Sequence, residues 1–118
     1  MAELQIKTHL TENEREVWLL GEFDSYSAPR VRELLESLLV GEEPHVTLYL
    51  TDLEYIDSTG LGVLVGALKQ TTDRAGTLIL VEPSPQVAHV LQVTGLSKVF
   101  TILTEPSETT PPPPLPSA

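Results

Sequence analysis

An Asp-Ser-Thr-Gly turn at residues 57–60 is the part of this sequence best suited to chemistry. It follows an apolar stretch at residues 46–50 and a short acidic loop, and it precedes apolar residues at helical spacing. The first turn of a helix has N–H groups without intrahelical partners and lies at the positive end of the macrodipole, so it tolerates an anion. The turn could therefore accept a phosphate on Ser58, bind one, or simply cap a helix.

Two glycines in the predicted helix, Gly62 and Gly66, lie four residues apart and give it one smooth face. Each interior glycine costs roughly 0.5–1 kcal/mol relative to alanine. Close approach of another chain would explain them, and so would tight packing on the sheet. A phosphate on Ser58 would add about −1.5 to −2 charges beside Asp57. The helix dipole offsets part of that charge within the domain, whereas a docked partner has no such compensation. These are the features of a switch.

The composition narrows the classes of protein and partner. With 118 residues the chain is long enough for one domain with a real core. It has no cysteine, which excludes disulfides and thiolate metal sites. Its apolar stretches fall short of the ~18 residues that a transmembrane helix needs, and no signal segment opens the chain, so we expect a cytoplasmic protein. Seventeen acidic residues against seven Lys and Arg give a net charge of −10, which disfavours nucleic acid and favours a basic protein partner.

Alternating strands and helices would position the turn. Apolar alternation predicts a strand over residues 4–10 and a second over 17–20 that ends at Gly21, with a short polar turn that makes them an antiparallel hairpin. We then expect an α/β fold: a single domain with a small mixed β-sheet, strand–helix alternation after the hairpin, and helices packed on the sheet. The later predicted elements are a helix from Ser27 to Gly41, a strand at 46–50, a helix after residue 57, a strand at 77–81, a helix from Ser84 to Gly95 and a strand at 99–103.

The folded domain is predicted to cover residues 1–104. Residues 105–118 are rich in Pro, Ser and Thr and include four consecutive prolines, 111–114. Such a segment cannot build a core, and its composition predicts a disordered or polyproline-type extension.

Two motifs together resemble the STAS domain of bacterial anti-sigma factor antagonists. Residues 21–24 read Gly-Glu-Phe-Asp, and residues 56–64 read Ile-Asp-Ser-Thr-Gly-Leu-Gly-Val-Leu, at the spacing of that family. The resemblance covers residues 3–103. It implies a partner-switching regulator, not an enzyme, that needs no cofactor or metal. The unphosphorylated form would bind an anti-sigma factor that is also an ATP-dependent serine kinase, and thereby free a sigma factor. A metal-dependent serine phosphatase would reverse the modification.

The resemblance also implies roles for individual residues. Ser58 would be the phosphoacceptor, Asp57 would orient its hydroxyl or the kinase's groups, and Asp24 would lie at the same sheet edge and contact the partner. Thr59 replaces a serine common in the family, and would be a minor acceptor or the actual N-cap. The family often has a further C-terminal helix, which the prolines from residue 106 onward disfavour. The predicted docking surface is completed by Gly60, Leu61, Gly62 and Val63.

Two other classes of function stay open. The chain could be a STAS subunit that only acts as a scaffold, in a transport ATPase or a stress-signalling assembly, with Ser58 unmodified. It could also be a small enzyme or phosphocarrier that uses Ser58 or one of three scattered histidines directly. Ser58 does not lie in the Gly-x-Ser-x-Gly pattern of a hydrolase. Asp52, Glu54 and Asp57 lack the spacing of a calcium loop, so no metal site is expected.

Overall fold

In the computed structural model, which describes residues 3–104, the chain folds into a six-stranded mixed sheet with three α-helices. The predicted Pro-rich extension, residues 105–118, lies outside the described residues. In chain order the elements are β1 (Gln5–Leu10), β2 (Arg15–Phe23), α1 (Ala28–Leu38), β3 (His45–Tyr49), β4 (Leu53–Ile56), α2 (Ser58–Asp73), β5 (Thr77–Val81), α3 (Pro85–Val93), a 3₁₀ turn (Leu96–Lys98) and β6 (Thr101–Leu103).

The strand order is β1-β2-β3-β5-β6, and β4 pairs with the far end of β2. The β1–β2 pair is antiparallel, and all other pairs are parallel. At the hairpin turn the Thr11 N–H donates to the Glu14 carbonyl at 2.8 Å. The predicted α/β fold class, with its N-terminal hairpin and mixed sheet, is therefore confirmed.

The region between β2 and α2 differs from the prediction. β2 continues to Phe23 instead of ending at Gly21, because its second half has a partner of its own: residues 16–18 pair with β3, whereas residues 21–23 pair with β4. The β2–β4 register shifts between Gly21 and Glu22. Gly21 has φ +103°, and a Cβ there would clash with the Glu3 carbonyl oxygen. β4 itself was predicted as an acidic loop. Its four residues are buried only at the two ends, so they lack the alternation that identifies a strand.

The helices begin close to their predicted positions but end differently in detail. Ser27 precedes α1 as predicted, yet its side chain makes no capping bond to that helix. α1 ends at Leu38, before Gly41. Gly95 has φ +78° and follows α3 as predicted, but the 3₁₀ turn after it was not expected, and β6 begins at Thr101 rather than at residue 99.

One face of the sheet carries the main core. The buried residues of α1, α2 and α3 pack there against alternate residues of the strands, including Val17, Leu48 and Leu80. The helices thus form a single layer on the sheet, and the apolar face of α2 holds that helix against the strands.

None of the helices between residues 3 and 104 is both long enough and apolar enough to span a bilayer.

The opposite face carries a smaller cluster of Trp18, Tyr49 and Val81. The Trp18 and Tyr49 rings are stacked, with centroids 4.6 Å apart and planes 8° from parallel. The Tyr49 hydroxyl donates to the Glu16 carboxylate at 2.6 Å. Burial, together with the neighbouring Glu16 carboxylate, raises the pKa of Tyr49 well above its usual value. This aromatic pair is therefore a neutral packing element.

Candidate functional site

The predicted turn forms the N-terminus of α2, with Asp57 as the N-cap and Ser58 as the first helical residue. Asp57 has extended backbone angles, and its Oδ1 accepts the Gly60 N–H at 2.9 Å. Asp57 is thus the capping residue, so of the two alternatives for Thr59, a minor acceptor or the N-cap, the second is wrong. Thr59 lies inside the first turn and is half-buried.

Asp57 also joins the turn to the first motif. Its Oδ2 accepts the Ser25 N–H at 3.1 Å, and its own N–H donates to the Phe23 carbonyl at 3.1 Å. Both carboxylate oxygens are therefore bound to backbone groups on either side of the site. This geometry makes Asp57 a residue that holds two loops together, beyond the orienting role that the family resemblance implied.

Asp24 organises the loop that faces the turn. Its Oδ1 accepts the N–H groups of Tyr26 and Ser27, each at 3.0 Å, and the Ser27 hydroxyl at 3.2 Å. The pKa of Asp24 is lowered below its ordinary value, chiefly because the carboxylate accepts the hydrogen bond from the Ser27 N–H. The Ser27 hydroxyl in turn accepts the Asp24 N–H at 3.0 Å. The structure thus brings the two motifs together at one edge of the sheet, with Asp24 fixing the shape of its loop.

Ser58 is exposed at this edge. Within residues 3–104 its hydroxyl has no hydrogen-bond partner, whereas the carboxylates of Asp24 and Asp57 are both engaged. Ser58 is the first residue of α2, at the helix end whose first N–H groups have no intrahelical partners, and Asp57 accepts one of these, the Gly60 N–H. A hydroxyl that is exposed, unpaired and near the positive end of a helix can be phosphorylated without breaking a contact of the fold.

The other predicted docking residues divide between an inner and an outer side of α2. Gly62 is exposed and Leu61 is partly exposed, whereas Gly60 and Val63 are buried. A Cβ at Gly60 would lie 2.9 Å from the Phe23 carbonyl oxygen, so the fold itself requires this glycine. Gly60 and Val63 can therefore shape the surface but contribute little contact area of their own.

Gly62 and Gly66 have open space where a Cβ would point. Tight packing on the sheet, one of the two explanations offered for these glycines, is therefore wrong. They line a groove of about 140 Å³ between α1 and α2, whose opposite wall includes Arg32 and Glu36. The other explanation for Gly62 and Gly66, close approach of a second chain, stays a prediction.

An exposed tyrosine beside the turn was not singled out from the sequence. Tyr26 has 89% of its surface exposed, although the N–H of Tyr26 is fixed by Asp24 and the neighbouring Ser25 is fixed by Asp57. Exposed aromatic side chains on ordered loops are frequent anchors in protein interfaces. An aromatic residue between two serines in the loop after Asp24 was the available sign.

The acidic residues around the turn do not form a metal-binding group. Over the described range 3–104, three potential ligands come together only at the far end of the β1–β2 hairpin, in His9, Glu14 and Glu16. Glu16 already accepts the Tyr49 hydroxyl. Asp52 and Glu54 are exposed near the turn without a third ligand that would complete a site.

These features define a STAS domain, and comparison with known proteins agrees. Residues 5–109 match the STAS domain family, so the chain belongs to that family. The anti-sigma-B factor antagonist of Listeria monocytogenes is 38% identical over 99 residues, which are 84% of this chain and 86% of that protein.

Two solved structures share the fold. A crystal structure of an anti-sigma factor antagonist from Mycobacterium paratuberculosis superposes with a TM-score of 0.76 at 20% identity, and the match covers 87% of each chain. The phosphorylated form of the Bacillus cell fate determinant SpoIIAA superposes with a TM-score of 0.64 at 25% identity, over 87% of this chain and 93% of that one. Similarity to anti-sigma factor antagonists therefore appears in both sequence and fold.

Proposed function

We propose that this chain is an anti-sigma factor antagonist whose partner binding is switched off by phosphorylation of Ser58. The observation that carries the proposal is the exposed Ser58 hydroxyl, which has no hydrogen-bond partner among residues 3–104, on a turn that Asp57 fixes from two sides. The unphosphorylated chain binds an anti-sigma factor with serine kinase activity, and a sigma factor is released in the cytoplasm. The antagonist naming of the Listeria relative and the phosphorylated state of SpoIIAA support this assignment.

In the transfer step this chain is the substrate and the partner is the catalyst. The Ser58 oxygen attacks the γ-phosphorus of ATP held by the partner, and a new bond forms between that oxygen and phosphorus. The bond from phosphorus to the β-phosphate oxygen breaks, ADP leaves, and the hydroxyl proton passes to a base of the kinase or to water. A serine phosphatase hydrolyses the phosphoserine and restores the hydroxyl.

The added charge explains why the switch acts on binding. The phosphate brings about −1.5 to −2 charges to an exposed position at the N-terminus of α2, where the helix dipole is worth ~0.3–1 kcal/mol in its favour. In the free chain the phosphate stays in water and the fold is retained. A partner that covers Ser58 must desolvate the phosphate beside Asp57, which weakens the complex.

The outer side of the site supplies the contacts. We assign direct contact to Tyr26, Ser58, Leu61 and Gly62, which are exposed or partly exposed around the turn. Thr59 is half-buried and serves at most as a minor acceptor. The remaining predicted binding residues, Asp24, Asp57, Gly60 and Val63, are positioning residues that hold the two loops and the first turns of α2 in place.

The direct test is phosphate mapping. The full chain is incubated with ATP and each anti-sigma kinase of the same organism, and the modified position is located by mass spectrometry. We expect one phosphate, on Ser58, with loss of most incorporation in Ser58→Ala. Ser25→Ala is the matched control because Ser25 is an exposed serine on the adjacent loop, and it should be phosphorylated like the wild type.

Each other outcome has a defined meaning. No phosphate on Ser58 or Thr59 with any of these kinases would contradict the proposal and leave the scaffold function. Phosphate on a histidine, or turnover of a small substrate by the chain alone, would instead support the enzyme or phosphocarrier class.

A further inference from the structure

Three side chains with metal-binding atoms meet where β1 turns into β2, at the end of the hairpin far from Ser58. The register pairs His9 of β1 directly with Glu16 of β2, so these two side chains lie on the same face of the sheet. The His9 Nδ1 and the Glu16 Oε1 are 3.7 Å apart. Glu14 comes just before β2, and one donor atom of each of the three residues lies within 4.8 Å of the other two. One imidazole and two carboxylates thus converge on one point.

Glu16 is held in place by a contact on its other side. Its Oε2 accepts the Tyr49 hydroxyl at 2.6 Å, and its side chain is only 14% exposed. The Oε1 atom is therefore the oxygen that faces His9. Carboxylates that bind metal ions are in turn hydrogen-bonded by neighbouring groups, which fix their orientation. The Tyr49 hydroxyl thus positions one donor oxygen toward the imidazole.

The turn that carries Glu14 is ordered by its own hydrogen bonds. The Thr11 N–H donates to the Glu14 carbonyl at 2.8 Å, and the Thr11 hydroxyl oxygen accepts the Glu14 N–H at 3.0 Å. The Glu14 backbone is therefore fixed, whereas its side chain is exposed and free to turn toward the other two. Zn²⁺ binds imidazole nitrogen and carboxylate oxygen at about 2.0–2.2 Å, which places two ligands of a tetrahedral ion about 3.4 Å apart. The observed separation of His9 and Glu16 is close to this value.

The charges at this end of the hairpin favour a cation. Among residues 3–104, no lysine or arginine forms a salt bridge with Glu14 or Glu16, and His9 is the one basic partner of Glu16. Burial, the hydrogen bond to Glu16 and the charges of Glu16 and Glu14 raise the pKa of Tyr49, so both carboxylates act on the same place. Two carboxylates that share one neutral or weakly basic imidazole leave negative charge for a cation to neutralise.

We propose that His9, Glu14 and Glu16 bind a divalent transition-metal ion, with Zn²⁺ as the ion that fits their chemistry. Imidazole suits Zn²⁺, whereas Mg²⁺ and Ca²⁺ prefer oxygen ligands alone. Three protein ligands leave the fourth position of a tetrahedral ion to water. The ion joins β1 to β2 beside the turn. The spacing of residues 9, 14 and 16 did not predict this site, because His9 and Glu16 meet only through strand pairing.

The site stands independently of the phosphorylation switch. The nine residues of β2 separate it from the loop of Asp24, a span of about 26 Å at ~3.3 Å per residue step. Ser58 and the metal ligands therefore share no side chain, and loss of the metal should leave phosphorylation of Ser58 unchanged.

Isothermal titration calorimetry of the chelator-treated, dialysed full chain with ZnCl₂ tests the site. We expect one Zn²⁺ per chain and an affinity at least about tenfold lower in His9→Ala. Tyr49→Phe keeps the ring but removes the hydroxyl that orients Glu16, and should weaken binding by roughly tenfold. His89→Ala is the matched control, because His89 is an exposed histidine on α3, and it should bind like the wild type. Equal affinities for the wild type and His9→Ala would overturn the proposal.

A second measurement locates the ion without any substitution. In ¹H–¹⁵N spectra of the histidine side chains, one equivalent of ZnCl₂ should shift the imidazole resonances of His9 and leave those of His45 and His89 in place. The same amount of MgCl₂ should shift none of them. Shifts confined to His45 or His89, or an equal response of His9 to Mg²⁺, would contradict the proposed site.

Discussion

The inner and outer sides of the first turns of α2 have glycines for different reasons. On the inner side, Gly60 touches the Phe23 backbone, and a Cβ there would lie 2.9 Å from a carbonyl oxygen. On the outer side, Gly62 and Gly66 have free space around the missing Cβ. The fold thus specifies the inner glycine, whereas the outer glycines cost helix stability without a packing reason within residues 3–104. We attribute them to the proposed partner.

The same division applies to the polar residues. The carboxylates of Asp24 and Asp57 accept hydrogen bonds from backbone N–H groups. Like Gly60, these two residues therefore shape the site and do not present a free group to a partner. Ser58, at the start of α2, and Tyr26, in the loop after Asp24, are exposed on segments that these two acids hold in place. A site of reversible modification needs an exposed acceptor group on a backbone that keeps its shape in both the modified and the unmodified state. The hydrogen bonds of the two acids hold the backbone, and Ser58 is the exposed group.

The largest expected effect on stability is at the inner glycine. Gly60→Ala should destabilise the chain by ~1–3 kcal/mol, because the new methyl group forces the Phe23 backbone and the Ile56 side chain to shift. Urea unfolding of the variant and the wild type measures this difference, with Gly62→Ala as the matched control. Equal stability of Gly60→Ala and the wild type would contradict the claim that the fold requires a glycine at this position.

A smaller effect of opposite sign is expected at the outer glycines. Gly62→Ala should stabilise the free chain by roughly 0.5–1 kcal/mol, because alanine has the higher helix propensity and nothing obstructs its methyl group. The same change should weaken binding of the anti-sigma partner in isothermal titration calorimetry. Gly66→Ala tests how far along α2 the contact extends. Wild-type affinity in both variants would mean that the partner does not approach this side of the helix.

The smallest effect concerns the pH dependence of stability through Asp24. Hydrogen bonds lower the folded-state pKa of Asp24 below its ordinary value of 3.8, so the ionised form is favoured by folding. Its contribution to stability is present above the unfolded-state pKa and is lost as the pH falls through the lower folded-state pKa. Thermal unfolding between pH 5 and pH 2 should therefore show a shallower acid-dependent loss in Asp24→Asn than in the wild type, at about pH 4 and below.

Much of the fold could be predicted because its elements have clear local patterns. The hairpin, α2, β5 and α3 each combine a regular apolar period with a turn or capping residue. β4 was not predicted because only its two end residues are buried. Gly21 was interpreted as the end of β2, but a glycine with positive φ can also lie at an irregularity within a strand. The distinction depends on whether a second partner strand is available, which is a tertiary fact.

The candidate site was predicted in part. The position of Ser58 at the start of a helix followed from the motif and from the apolar spacing behind it. The bond from Ser25 to Asp57 joins residues 32 positions apart and has no local pattern. For the same reason, the sequence did not distinguish the required Gly60 from the unobstructed Gly62, and it did not show that the ring of Tyr26 projects into solvent.

The most direct test of the central claim compares the affinity of the anti-sigma partner for the wild type, Ser58→Ala and Ser58→Asp, with the free energy of unfolding measured on the same samples. The account predicts that Ser58→Ala binds like the unphosphorylated wild type. Ser58→Asp should bind at least about tenfold more weakly, ~1.4 kcal/mol, while its unfolding free energy stays within about 0.5 kcal/mol of the wild type. Equal affinities for the alanine and aspartate variants, with both folded, would contradict the claim that charge at Ser58 controls the complex.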